Sequence, residues 1–100
     1  MHIDAAEIRE SIRIDAAHPS LPGHFPGRPV VPGVVLLDRV AAALGRAGAG
    51  RFVRIGVVKF SAPLLPEQDA QLTASRSGAR VRFRIEREGR PILSGEAELL

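Results

Sequence analysis

An α+β domain, one antiparallel sheet wrapped around a single buried helix, is what three features of the sequence predict. Residues 33–44, "GVVLLDRVAAAL", are apolar almost throughout and long enough for about three helical turns. Residues 80–87, "RVRFRIER", alternate Arg with Val81, Phe83 and Ile85, the two-residue period of a half-buried strand. Residues 16–32 hold five prolines and form a stiff loop between a first strand and the helix. A helix with no clean polar face is expected to be buried almost all round. Only a sheet that curls about it can supply that cover.

Taken in order, Ile8, Ile12 and Ile14 stand among charges in residues 8–15 and predict the first strand. The helix starts at Gly33, with Pro32 suited to its first turn, where a missing amide hydrogen costs nothing. It ends near Leu44, and "GRAGAGR" (45–51) makes the turn that follows. Strands are expected over 52–62, 70–76, 80–87 and 92–100. Between them lie the proline-punctuated "PLLPEQD", the hairpin turn "SGAR" and the turn "EGRP". Arg80, Arg82 and Arg84 are the wet face of their strand. A chain of 100 residues suits one domain, 1–100, small enough to gain burial from association with another chain.

Composition narrows the function classes. No apolar run approaches the roughly 18 residues of a membrane span, and "MHIDAAEIRE" does not read as a secretory signal. With no cysteine there is neither disulfide nor thiolate chemistry; that count alone leaves the compartment open, and a soluble cytoplasmic protein is the default expectation. Thirteen of the fourteen basic residues are Arg, giving a net charge of +3 and a surface that could attract an acidic partner. Nucleic acid is disfavoured: there is no basic run, no Tyr or Trp, and no reader motif. His2 and His18 read as structural, and no clustered His and carboxylate spacing suggests a metal site.

The chemistry concentrates in "LPGHFPGRPVVPGVVLLDRV" (21–40). The amides that open a helix at Gly33 lack intrahelical partners and carry partial positive charge. They suit a carbonyl oxygen that is becoming an oxyanion. His24, in the stiff loop just before, can exchange protons near neutral pH. Asp38, among Val34, Val35, Leu36, Leu37, Val40 and Ala41, is expected to be desolvated, which raises a carboxyl pKa. A base, an oxyanion site and an acid are the parts needed to remove a proton α to a carbonyl and expel a β-hydroxyl. Taken singly, each residue also fits a bland role: a hydrogen-bonded loop imidazole, and a carboxylate at a water pocket or an interface.

The segment "GHFPGRPVVPGVVLLDRV" resembles the active-site region of the hotdog-fold 3-hydroxyacyl-acyl-carrier-protein dehydratases. In that family a GHFPG-like loop with the catalytic His leads into a Pro-Gly that starts the central helix, and an acid follows fourteen positions later. The step from His24 to Asp38 is also fourteen. "KFSAPLLPEQDAQL" (59–72) and "GRPILSGEAEL" (89–99) resemble further stretches, so the likeness covers most of the chain. The short N-terminus and "HPSLPGHFPG" are most similar to the small dehydratases of aryl-polyene-type clusters. Two departures stand out. The acid is Asp, as in the branch that also isomerises double bonds, and "PEQDAQ" replaces a tight "PGD" turn.

The resemblance implies a hotdog fold, an antiparallel sheet wrapped around one long central helix, and a dimer whose sheets join edge to edge. His24 of one subunit would face Asp38 of the other. His24 would take the α-proton, the Gly33 amide would hold the thioester oxygen, and Asp38 would assist departure of the hydroxyl. Phe25 is either a wall of the acyl tunnel or core packing; Val34, Val35 and Leu37 are tunnel candidates, with ordinary core expected for at least one. Arg28, Arg51 and Arg54 are candidate contacts for an acyl-carrier protein or for its phosphopantetheine, against a reading as solvated surface charge. No cofactor or metal is implied, and the assembly is a homodimer, a higher homo-oligomer or a heterodimer. Two other functions remain open: a hotdog acyl thioesterase, and a non-catalytic acyl-carrier-binding subunit of a heterodimer.

Overall fold

The computed structural model describes residues 5–19, 21 and 30–100. Its elements are β1 (Ala5–Ile12), α1 (Gly33–Arg46), β2 (Phe52–Phe60), β3 (Ala70–Ser77), β4 (Arg80–Arg87) and β5 (Arg90–Leu99). The strands form one antiparallel sheet in the order β1-β3-β4-β5-β2, and α1 lies against one face of it. This is the predicted helix-in-sheet architecture.

Alternation decides which face the helix meets. Leu72 and Ala74 of β3, Val81, Phe83 and Ile85 of β4, and Leu93, Ala97 and Leu99 of β5 are at most 5% exposed. Arg80, Arg82 and Arg84 point to the opposite, wet face as expected. From the helix side, Val35, Leu36, Val40, Ala43 and Leu44 complete the core. Pro32 is the residue before the helix rather than part of its first turn, in an extended conformation (φ −61°, ψ 143°). At the other end Gly48, at φ +68°, reverses the chain so that the Ala49 amide donates to the Leu44 carbonyl at 2.9 Å. Arg46 in the last turn suits the negative end of the helix. Its guanidinium donates to Glu10 at 2.5 Å, and that hydrogen bond, with the charge of Glu10, raises the Arg46 pKa.

Three expectations need correction. The first strand lies at 5–12 rather than 8–15, because its pairing ends where Ile12 meets Ala70. Ile14 has left the sheet but stays fully buried, which prolongs the apolar pattern. β2 stops at Phe60 rather than 62, since the Ser61 amide turns to the Ile92 carbonyl at 2.8 Å.

The third correction matters most: α1 is not buried all round. Val34 is 64% exposed, and Asp38 and Ala42 are exposed with it. The reason is width. Five strands at about 4.8 Å span roughly 19 Å between the outer two, whereas a helix with side chains is about 10–12 Å across. Among the strands, α1 lies closest to β1 and β3. The far flank is left open, with Ile55 and Phe60 of β2 44% and 54% exposed; Val53 is 60% exposed, and Val57, at 78%, stands on the wet face beside Lys59 and Arg82.

Candidate active site

The start of α1 is shaped by a close approach that glycine permits with the Phe60 ring where it stands. A Cβ on Gly33 would lie 2.5 Å from Cε1 and 2.7 Å from Cζ of Phe60. With hydrogen there, the Phe60 ring lies against the first helical turn. A cavity of about 350 Å³ opens at this point, lined by Val31, Gly33, Leu36, Phe60, Ser61 and Pro63. It is mostly apolar, and the helix's first amides stand at its edge. Pro32 has no side-chain donor or acceptor to cap them, although its carbonyl accepts from the Val35 amide at 3.0 Å.

The cavity walls are tied down. The Val31 amide donates to the Leu64 carbonyl at 2.9 Å, and Leu64 is 1% exposed. The departing turn, "PEQDAQ", is braced as well. Glu67 sits at φ 67°, a left-handed conformation that a non-glycine residue keeps only when its surroundings hold it. Its amide donates to the Ile14 carbonyl at 2.8 Å, and its carboxylate accepts from the Ala16 amide at 2.7 Å. Arg13 adds ion pairs to Asp69 at 2.9 Å and Glu67 at 3.8 Å. The longer turn is held at both its backbone and its side chains.

Of the residues singled out by sequence, His24, Phe25 and Arg28 lie outside the described residues. Gly33 opens the cavity. Asp38 stands five residues further, about 7.5 Å along the axis. It is exposed, on the same open face as Val34, so the desolvation expected of it is not supplied by its own chain. Val35 belongs to the core at 5% exposure, and Leu37 packs partly against that core. Arg51 and Arg54 are exposed at the far end of β2, with Arg54 about 20 Å of strand from Phe60. Phe60 was not singled out from sequence, although it stands in the "KFSAP" stretch of the resemblance. Among the described residues no group of acidic, His or Cys side chains could hold a metal ion, and no helix is long and apolar enough to cross a membrane.

A family model described as ApeI-like, ApeI dehydratase, matches residues 1–96. The chain belongs to the ApeI-like dehydratase family. This bears out the resemblance carried by the GHFPG segment, and the architecture is the hotdog fold. A 3-hydroxyacyl-[acyl-carrier-protein] dehydratase FabZ of Rhizorhabdus wittichii is 44% identical over 55 residues, covering 44% of this chain and 35% of that protein. The FabZ of Rhodopseudomonas palustris is 33% identical over 73 residues, covering 62% and 48%. The chain thus spans between a third and a half of these curated relatives.

Among solved structures, an uncharacterized protein from Erwinia carotovora subsp. atroseptica matches this ApeI-like chain with a TM-score of 0.85 at 26% identity, covering 100% and 87% of the two chains. The dehydratase heterocomplex ApeI:P from Xenorhabdus doucetiae matches with a TM-score of 0.83 at 27% identity, covering 93% and 86%.

Proposed function

We propose that the protein is a 3-hydroxyacyl-[acyl-carrier-protein] dehydratase that removes water from a 3-hydroxyacyl thioester to give a trans-2-enoyl thioester, in the cytoplasm, in fatty acid or polyene-type biosynthesis. The observation that carries this reading is the placement of Asp38, fourteen residues after His24, on the exposed face of α1 with Val34, within two turns of the helix start at Gly33. Family membership and the curated relatives named above support it.

In this reading the acyl thioester enters the cavity with its oxygen toward the Gly33 amide, which steadies the negative charge that develops. His24, in the loop before the helix, takes the α-proton. The bond from Cβ to the hydroxyl breaks, Asp38 gives its proton to the departing oxygen, and water leaves. Phe60, Phe25, Val34 and Leu37 line the acyl path, and Val35 backs it from the core. The substrate arrives on the phosphopantetheine of an acyl-carrier protein.

The exposed position of Asp38 calls for a partner, because the elimination needs its acid beside the substrate and shielded from bulk water. A second hotdog chain docked on the β2 edge would cover it and bring a partner's loop imidazole toward it. The heterocomplex formed by the Xenorhabdus relative supports such a pairing. Antiparallel docking of two β2 edges also carries Arg54 and Arg51 to the other chain's cavity end. There, with Arg28, they would meet the acidic carrier.

The test is elimination of water from 3-hydroxyacyl carrier thioesters, read by absorbance of the conjugated product. His24→Ala and Asp38→Ala should each lower turnover by about 10²–10⁴ while association is unchanged. Normal turnover in either variant overturns the reading, and free thiol without enoyl product replaces it with a thioesterase.

A further inference from the structure

Among the described residues, the exposed large apolar side chains are not scattered: five of seven, Val34, Val53, Ile55, Val57 and Phe60, lie on β2 or on the first turn of α1. β2 is an edge strand, so among the described residues one side of its backbone faces no neighbour. Its charges are of one sign. From Arg39 to Pro66 the chain carries five cations (Arg39, Arg46, Arg51, Arg54 and Lys59) and no carboxylate. Arg46 is engaged by Glu10 on the other flank. Arg51, Arg54 and Lys59 remain along the edge.

The register of β2 against β5 says which way they point. Arg54 stands opposite Glu98 and Lys59 opposite Ser94, both on the wet face. Ile55 and Val58 stand opposite Ala97 and Gly95, on the helix side. The irregularity between Ile55 and Val58 reverses the alternation, and so two cations an odd number of residues apart share a face.

A copy of β2 can pair with this edge through a twofold axis between Gly56 and Val57. That register sets Ile55 opposite Val58 and keeps the faces matched on both sides of the irregularity. It also sets Arg54 opposite Lys59, twice. Like charges directly opposed across a strand pair are destabilising. Glu98 relieves Arg54 from one strand further in, but the neighbour of Lys59 there is a serine.

We infer that the β2 edge is made for a different hotdog chain, one whose edge strand presents carboxylates opposite Arg54 and Lys59, and that the cation pair discourages pairing with a second copy. The inference rests on the edge-docking part of the function proposed above and is independent of the reaction. Attraction to the right strand and repulsion from its own copy are the two halves of specificity.

The test uses the protein as its own probe. Arg54→Glu/Lys59→Glu turns a copy into an acid-edged partner, and both positions are exposed, so the fold is spared. In sedimentation velocity, the mixture of wild type and double variant should form a mixed dimer at least about tenfold tighter than either dimer with itself. Lys59→Glu alone should tighten self-association relative to wild type, and Lys59→Gln should do so by less. A statistical mixture, or a wild-type dimer that persists at nanomolar concentration and is unchanged or weakened by Lys59→Glu, overturns the inference. Because the readout is association, loss of the dehydratase assignment would leave this result standing.

Discussion

The two flanks of the sheet solve opposite problems. On the β1 and β3 side, Ile12, Ala70, Leu72 and Ala74 are buried on the helix face, and charges find partners within the chain: Arg13 with Asp69 at 2.9 Å, Arg46 with Glu10 at 2.5 Å. On the β2 side the alternation of burial fails. Apolar residues stand in water, and among the described residues Arg54 and Lys59 make no ion pair. One flank is satisfied by its own sequence, whereas the other holds side chains whose complement is on another molecule. Asp38 stands on the exposed face of α1, and the proposed chemistry therefore depends on what covers it.

The largest expected difference is in stability. Leu44 and Leu72 are fully buried, and truncating either to Ala should lower unfolding free energy by about 2–5 kcal/mol, read from urea midpoints at constant slope. Val57, at 78% exposure, offers the contrast: Val57→Ala should change the separated chain by no more than about 0.5 kcal/mol. If Val57→Ala costs as much as Leu44→Ala in a monomeric sample, the open flank is not open. In an associated sample the same substitution should weaken dimerisation instead, which would sharpen the contrast.

An intermediate effect is expected at the braced turn. Glu67→Ala removes the bond to the Ala16 amide and leaves the strained backbone in place, and a loss of about 1 kcal/mol follows in thermal unfolding. Glu67→Gly loses the same bond but removes the strain, so it should be less damaging than Ala. Equal losses would show that the turn's conformation owes nothing to Glu67 being held by its neighbours.

How far these features could be read in advance depended on whether their cause was local. The Arg82 and Arg84 alternation, the helix start at Gly33 and the hairpin at Gly78 are each written within a few residues, and each stands where the pattern placed it. Ile14 shows a local pattern misread: its burial is real, but it comes from the loop that carries Glu67, not from a strand. Asp38 shows a different limit. An apolar helix composition says that residues want cover; it does not say whether the cover belongs to the same chain. The pairing of Gly33 with Phe60 joins positions 27 apart and leaves no periodic trace. The roles of His24, Phe25 and Arg28 rest on the sequence, because those residues lie outside the described part.

The Gly33 contact gives the smallest effect and the most particular one. Alanine is the better helix former by up to about 1 kcal/mol, so Gly33→Ala should stabilise an unobstructed first turn. Here the new methyl would meet the Phe60 ring at 2.5 Å. The ring is the far end of a half-exposed side chain and can swing aside, so the collision should cancel the helix gain rather than unfold the protein. In the Phe60→Ala background the obstacle is gone and the same substitution should become stabilising. The Gly33→Ala effect should therefore move from near zero to stabilising between the two backgrounds, with a coupling of about 0.5–1 kcal/mol in a double-mutant cycle. Additive values would mean that the ring does not rest on the helix start, and the cavity wall at Phe60 would have to be drawn elsewhere.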